Sequence, residues 1–186
     1  YKELFEEVLS SINSFDEELP TVLILQADSS EQKYVFSIPA SKWLQTNMVE
    51  LCGGAPVWKD ENQSGSWVDV NMEQISIWDP DKIFMINYQG QAPKIVDELK
   101  KDEIWQNLKA VRNSEVFAFP FDYQSWDQPD PRWILGFGWL THKINPEYVN
   151  SEDVQSLVES FYKKLFDLSE TMIQENIRPR IRAYFD

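Results

Sequence analysis

Residues 115–140, which read EVFAFPFDYQSWDQPDPRWILGFGWL, join a predicted strand, a loop and a predicted helix in one continuous unit. Glu115–Phe119 is short and mostly apolar, as expected for a buried strand. Residues 121–130 are rich in proline, acidic and aromatic side chains. Asp130 followed by Pro131 is typical of a helix start, since an acid can cap the first turn and proline fits the first helical position. The unit predicts a strand whose following helix packs back on the sheet.

Strands and helices alternate along the rest of the chain as well. Buried strands are predicted at Thr21–Ala27 and Lys82–Asn87, with a further short strand at residues 55–58. Apolar residues at helical spacing predict helices over residues 1–13, 40–52, 71–78 and 93–109, after residue 130, and from residue 150 or 151 onward. This alternation predicts an α/β fold: a three-layer lobe with a mostly parallel central sheet covered by helices on both faces. The final stretch, residues 175–186, is predicted to be irregular.

The composition of the 186-residue chain excludes several classes of protein. Apolar residues make up 42% and charged residues 26%, which indicates a folded globular chain. The net charge of −14 argues against nucleic-acid binding, which needs basic patches. A single cysteine, Cys52, and a single histidine, His142, rule out an internal disulfide framework and a multi-histidine metal site. No phosphate loop, GxSxG or HExxH motif occurs, so we expect neither an enzyme nor a cofactor or metal site.

Aromatic residues follow the predicted strands, at the edge of the sheet where ligands bind in α/β folds. Three such segments combine aromatic and polar side chains: residues 28–37, 87–91 and 121–130. Their rings could stack on a flat or bulky ligand, or could instead pin the loops to the core. The candidate ligand contacts here are Tyr34, Tyr88, Tyr123, Trp126 and Trp67. Trp43 lies near the same loops, and half-buried packing is the alternative for both Trp43 and Trp67.

The charged residues of the loop after Phe119 admit several roles. Asp122 and Asp127 could form a general acid/base pair, as in a glycosidase, or could simply be solvated. Asp127 could also contact a ligand, contact a partner or stabilise the N-terminus of the following helix. Arg132 lies in the first turn of that helix, where the helix dipole disfavours a cation. It therefore indicates either an ion pair with Asp127 or Asp130 or a contact with an anionic ligand group.

Five segments, in this order, resemble the carboxyl-terminal part of the class III solute-binding proteins of ABC importers. These are the receptors for ferric siderophores, haem, cobalamin and, in some branches, oxyanions such as molybdate. The resemblance covers roughly residues 20–168. The segments are VELCGGAPVW (49–58), WVDVNMEQISIWDPDKIFMI (67–86), IWQNLKAVRNSEVFAFP (104–120), SWDQPDPRWILGFGWLTHKINPE (125–147) and SLVESFYKKLFDLS (156–169).

The resemblance implies a receptor of two lobes joined by one long helix, with the ligand held between the lobes. Residues 1–14 would be the end of that linking helix, and residues 15–186 would form the carboxyl-terminal ligand-binding lobe. The loop that contains Ser125 and Trp126 would face the cleft, so that one of these two residues contacts the ligand. Asp127 would take the place of the acid that pairs with arginine on the permease. Family members work outside the cytoplasmic membrane, as cell-surface lipoproteins or in the periplasm.

The residues and the resemblance together lead us to expect a solute receptor that performs no chemistry. It would capture an iron–siderophore-type complex, act as a monomer and deliver its ligand to an ABC permease in the membrane. A receptor for cobalamin, haem or molybdate is the alternative within the family. From other classes, the alternatives are a carbohydrate-active hydrolase that uses Asp122 and Asp127, and a structural or adhesive surface domain.

Overall fold

The computed structural model describes residue 6, residues 18–30 and residues 33–185. The predicted end of a linking helix, over residues 1–14, lies outside the described residues apart from Glu6. Residues 18–30 and 33–185 form one mixed sheet with helices packed against it. Its strands are β1 (Thr21–Ser30), β2 (Lys33–Ile38), β3 (Ala55–Pro56), β4 (Val68–Val70), β5 (Lys82–Ile86) and β6 (Val116–Ala118).

The strand order of the sheet is β4–β2–β1–β5–β6, with β3 paired to the first residues of β1. β1, β5 and β6 are parallel to one another, and β2 is antiparallel to both of its neighbours. The predicted α/β fold with a mostly parallel sheet is therefore confirmed. The prediction that residues 28–37 form a loop after β1 is wrong. Ser29 pairs with Tyr34 in an antiparallel hairpin, and Phe36 and Ile38 are buried on β2.

Helices connect β2 to β3, β4 to β5 and β5 to β6. Their bounds are α1 (Leu44–Leu51), α2 (Met72–Trp78), α3 (Ala92–Leu99), α4 (Lys109–Arg112), α5 (Trp133–Ile144) and α6 (Ser151–Phe166). A 3₁₀ turn at Trp105–Asn107 separates α3 from α4. Within the parts of the chain that the structure describes, no helix has the length and apolar character needed to span a bilayer.

The end of the chain corrects a second prediction, because residues 175–185 are largely helical. A short helix α7 (Glu170–Met172) continues through π-helical Ile173–Ile177 into α8 (Arg178–Ile181) and a 3₁₀ turn at Arg182–Tyr184. The carbonyl oxygen of Tyr184 accepts a hydrogen bond of 3.0 Å from the indole of Trp139. This segment therefore packs on α5 and closes one side of the core, a contact that local sequence does not signal.

The two central strands form the core. Residues 22–25 of β1 and 83–86 of β5 are fully buried, since a parallel strand covered on both faces needs apolar side chains in succession. Trp139 on α5 packs against Phe84 and Phe117, with ring centroids 5.7 and 6.5 Å apart. α5 begins at Trp133, two residues after the predicted start at Pro131, although the Asp130 carboxylate still accepts the Arg132 amide at 2.7 Å.

Asp81 joins the starts of β1 and β5. Its carboxylate accepts hydrogen bonds from the amide and hydroxyl of Thr21, at 2.8 and 2.7 Å, and forms an ion pair with Lys109. Partial burial of Asp81 opposes its ionisation, but the hydrogen bonds from Lys109 and Thr21 outweigh this effect and lower the pKa of the carboxyl. A carboxyl whose pKa is lower in the folded protein stabilises the fold in its ionised form.

We expect Asp81→Ala to lower the free energy of unfolding at pH 7 by about 1–2 kcal/mol, because Thr21 loses a charged acceptor. The stabilisation is present above the ordinary pKa of 3.8 and is lost as the pH falls through the lower folded value. Urea unfolding of both proteins at pH 7 and pH 3 measures the difference. A gap between the two proteins that widens at pH 3 would contradict this assignment.

Candidate functional site

A cavity of about 490 Å³ opens beside the segments that leave β5 and β6. Tyr88 follows β5, and Gln128 and Pro129 belong to the loop between β6 and α5. The opposite side comes from the start of α1 and from the residue before β4. The side chains that line the cavity are Lys42, Trp43, Leu44, Gln45, Trp67, Tyr88, Gln128 and Pro129.

Three aromatic rings form one wall of this cavity. The ring centroids of Trp43 and Trp67 are 5.7 Å apart and nearly perpendicular, at 83°. Those of Trp67 and Tyr88 are 6.4 Å apart at 69°. In edge-to-face packing of this kind, each ring restricts the movement of its neighbour. The rings therefore form a large apolar surface at little cost in side-chain entropy. We call Trp43, Trp67 and Tyr88 the aromatic wall.

Asp127 lies behind the aromatic wall and is fully buried. Its carboxylate accepts hydrogen bonds of 2.9 Å from the Tyr88 hydroxyl and from Nε2 of Gln45. The hydroxyl of Ser125 and Nε2 of Gln128 also donate to it, the latter at 3.3 Å. Burial of Tyr88, reinforced by the negative charge of Asp127, raises the pKa of the Tyr88 phenol well above its ordinary value. Tyr88 therefore stays protonated, and its hydroxyl donates a hydrogen bond to Asp127.

Asp122 anchors the loop between β6 and α5. Its carboxylate accepts hydrogen bonds from the Trp126 indole at 3.1 Å, from Arg132 Nε at 3.0 Å and from the Tyr162 hydroxyl. The backbone amide of Tyr123 also donates to Asp122. These bonds tie the loop to α5 and α6, so the cavity side of the loop rests on a fixed base.

The structure brings two of the predicted ligand contacts, Trp67 and Tyr88, into the cavity together with Trp43. Tyr34 lies on β2 instead, where its hydroxyl donates to Glu98 at 2.5 Å. Tyr123 is 47% exposed, but the guanidinium of Arg180 covers its ring at 4.1 Å. Neither Tyr34 nor Tyr123 lines the cavity.

Four further residues of the same loop that the sequence predicts as contacts do not line the cavity. Trp126 and Ser125 are 0% and 2% exposed, so neither side chain faces a cleft. Arg132 pairs with Asp122 rather than with an anionic ligand, and Asp130 is only a second partner at 3.7 Å. Asp127 is 0% exposed and cannot reach a permease from its buried position. The loop was predicted as a ligand surface because its composition is aromatic and polar, but most of these groups bond one another.

The burial of Asp122 and Asp127 also bears on the hydrolase alternative. Asp122 is 2% exposed and is paired with Arg132, while Asp127 is held by four neutral donors. A general acid and base must reach the bond that is cleaved. Neither carboxylate does so here. Among the described residues, no group of three or more histidine, cysteine or acidic side chains is arranged to hold a metal ion.

Sequence reasoning missed the three polar residues that line the cavity beside the aromatic wall: Lys42, Gln45 and Gln128. Gln45 lies in a stretch predicted as a helix, and its burial depends on Asp127, which is distant in sequence. Gln128 lies beside the predicted ligand contacts, and its place in the loop after β6 is the one signal that could have identified it.

Comparisons with known proteins identify the family of the chain. Residues 1–123 match the model of a protein family described as periplasmic binding protein. The chain is 28% identical over 101 residues to the molybdate-binding protein MolA of Haemophilus influenzae, covering 54% of this chain and 28% of that protein. It is 31% identical over 123 residues to the Fe(3+)-citrate-binding protein YfmC of Bacillus subtilis, covering 62% of this chain and 36% of that protein.

Solved structures show the same fold. An ABC transporter solute binding protein from Sulfurospirillum deleyianum superposes with a TM-score of 0.75 at 23% sequence identity. The match covers 95% of this chain and 53% of that protein. The chain thus spans about half the length of the solved structure, and about a third of the curated relatives aligns with it.

Proposed function

The chain belongs to the periplasmic binding protein family, the class III solute-binding proteins of ABC importers, and from this premise we propose that it is the carboxyl-terminal lobe of a two-lobed solute receptor. The receptor works outside the cytoplasmic membrane, captures its ligand between the lobes and presents it to an ABC permease. Binding involves no covalent chemistry. The share of its relatives that the chain covers supports the assignment to one lobe.

The aromatic wall is the observation that carries this proposal. It lies beside the segments that leave two parallel strands, where α/β folds bind ligands. Its three residues line the cavity, and the side chains of Lys42, Gln45 and Gln128 supply polar contacts. A mostly apolar pocket with a few polar groups is the usual form of a small-molecule site.

The cavity favours a metal complex with a bulky organic shell, of the iron–siderophore type, over a bare ion. Aromatic rings offer stacking and apolar contact, which a small oxyanion or a hydrated metal ion cannot use. The relative from Bacillus subtilis is an Fe(3+)-citrate-binding protein, which also supports an iron chelate. Cobalamin, haem and molybdate are the competing ligands, and the titration below distinguishes them.

The permease, the location and the oligomeric state complete the proposal. We propose a monomer that is either lipid-anchored at the cell surface or periplasmic. Asp127 is buried, so we propose that the permease contacts residues that are exposed on the lobe.

The first test is a titration of the full-length natural protein, followed by tryptophan fluorescence, with ferric citrate, ferric siderophores, haem, cobalamin and molybdate. Two of the eight tryptophans, Trp43 and Trp67, line the cavity and should report on its occupancy. We expect one iron chelate to quench the signal. Trp67→Ala should weaken its binding about 30-fold, since a buried aromatic contact contributes ~2 kcal/mol.

Trp78→Ala is the matched control. Trp78 ends α2 before β5, whereas Tyr88 follows β5, so the strand separates the control residue from the cavity. The control should bind as tightly as the wild-type protein. If Trp67→Ala binds like the wild type while Trp78→Ala does not, the aromatic wall is not the site. Quenching by molybdate alone would replace the chelate with the oxyanion as the ligand.

A further inference from the structure

Asp127 is a buried acid without a basic partner. It is fully buried, and within residues 18–30 and 33–185 no lysine, arginine or histidine forms an ion pair with it. By contrast, Asp122 in the same loop is paired with Arg132. A buried carboxylate needs compensation for its lost hydration, from a cation or from several hydrogen-bond donors. Asp127 obtains it from donors alone.

Three of those four donors line the ligand cavity. They are the hydroxyl of Tyr88 and the amide nitrogens of Gln45 and Gln128, and only Ser125 lies outside the cavity lining. The donors reach Asp127 from α1, from the end of β5 and from its own loop. A single carboxylate thus joins three segments of the site, and its several lone-pair sites permit this.

From this arrangement we propose that Asp127 is the positioning residue of the aromatic cavity, setting the orientation of Tyr88, Gln45 and Gln128 without touching the ligand itself. This inference rests on the proposed function. The Tyr88 hydroxyl donates its hydrogen bond to Asp127, so the part of Tyr88 that can contact a ligand is its ring. Both glutamines direct Nε2 to Asp127.

Asn is the informative substitution at position 127. It preserves the volume but replaces one oxygen by an NH₂ group, which cannot accept a hydrogen bond. At least one of the four donors loses its acceptor, and the remaining bonds lose the strength that a charged acceptor gives. Asp130→Asn is the matched control, since it makes the same change in the same loop at a partly exposed residue outside the cavity.

The first measurement needs no ligand. Side-chain amide signals in ¹H–¹⁵N spectra of the full-length protein are assigned to Gln45 and Gln128 by their loss in Gln45→Ala and Gln128→Ala. Asp127→Asn should shift both signals and speed exchange of the buried Gln45 amide about tenfold or more, the equivalent of ~1.4 kcal/mol. Asp130→Asn should leave both signals in place. Unchanged signals in a folded Asp127→Asn protein would overturn the proposal.

The second measurement is affinity, with ferric citrate as the probe or, if another member of the panel quenches more strongly, that compound. Asp127→Asn should weaken binding by about 10- to 100-fold. Tyr88→Phe should weaken it less, and its effect should shrink in the Asp127→Asn background, because Tyr88 donates to the carboxylate that this substitution alters. Wild-type affinity in a folded Asp127→Asn protein would show a purely structural residue and overturn the proposal.

Two results of these measurements would not by themselves contradict the positioning role of Asp127. If the wild-type protein binds no member of the panel, the proposed ligand class fails, and the glutamine amide signals alone decide the role of Asp127. If Asp127→Asn does not fold, Tyr88→Phe decides, since it removes only a hydroxyl. Folded Tyr88→Phe with wild-type affinity and an unchanged Gln45 amide would then overturn the proposal.

Discussion

Replacing Asp122 with alanine is expected to lower the free energy of unfolding by about 3–5 kcal/mol, the largest effect of any single change considered for this lobe. The substitution leaves the guanidinium of Arg132, which is 14% exposed, without its partner in the core. It also removes the acceptor of the Trp126 indole and of the Tyr162 hydroxyl. Breaking a buried pair costs far more than the pair contributes, because a desolvated charge remains.

Urea unfolding at pH 7 measures this effect, with Asp60→Ala as the control. Asp60 is an exposed acid in the loop after β3, so its removal should change the free energy of unfolding by less than about 0.5 kcal/mol. Arg132→Met in the Asp122→Ala background should recover part of the loss, because it removes the stranded charge. A loss below about 1 kcal/mol in Asp122→Ala would mean that the loop does not depend on this network.

Gly136→Ala is expected to destabilise the protein by about 1–3 kcal/mol, although alanine favours a helix. A Cβ atom at position 136 would lie 2.3 Å from the backbone oxygen of Trp126. That contact is with backbone, so α5 and the loop must move apart. The loop carries Asp127 and Gln128, and its displacement should disturb the cavity as well.

Two other glycines provide matched controls for this change. At Gly138 the new Cβ would meet only the tip of the Leu157 side chain, at 2.7 Å, which can rotate away. At Gly65 nothing lies within 4 Å. Thermal unfolding should rank Gly136→Ala well below Gly138→Ala, with Gly65→Ala near the wild type. Equal stability of Gly136→Ala and Gly65→Ala would contradict the close packing of the loop on α5.

The sequence predicts the elements that local patterns control. The apolar runs of β1 and β5 and the helical spacing on α6 each determine one element, and the structure confirms them. The β1–β2 hairpin was missed because its polar residues resemble a loop, and pairing with β1 rather than composition makes them a strand. The helical end of the chain was missed for a similar reason, since it depends on packing against α5.

The sequence predicts only part of the candidate site. The residues that it misses depend on contacts between positions that are far apart in the sequence. Trp67 and Tyr88 were candidates because aromatic rings near strand ends commonly meet ligands. Trp126 is also an aromatic residue near the end of a strand, yet its side chain is buried, and its indole N–H donates a hydrogen bond to Asp122. Gln45 meets Asp127 across 82 positions of sequence. No local pattern reports such a contact, so the positioning network becomes visible only in the folded chain.

A crystal structure of the full-length protein with the tightest-binding member of the panel is the most direct test of the central claim, that the aromatic wall holds the ligand. The account predicts ligand density within about 4 Å of the rings of Trp67 and Tyr88, with the Tyr88 hydroxyl still bonded to Asp127. Density elsewhere on the lobe, for instance in the separate cavity lined by Arg178 and Arg182, with the aromatic wall vacant, would contradict it.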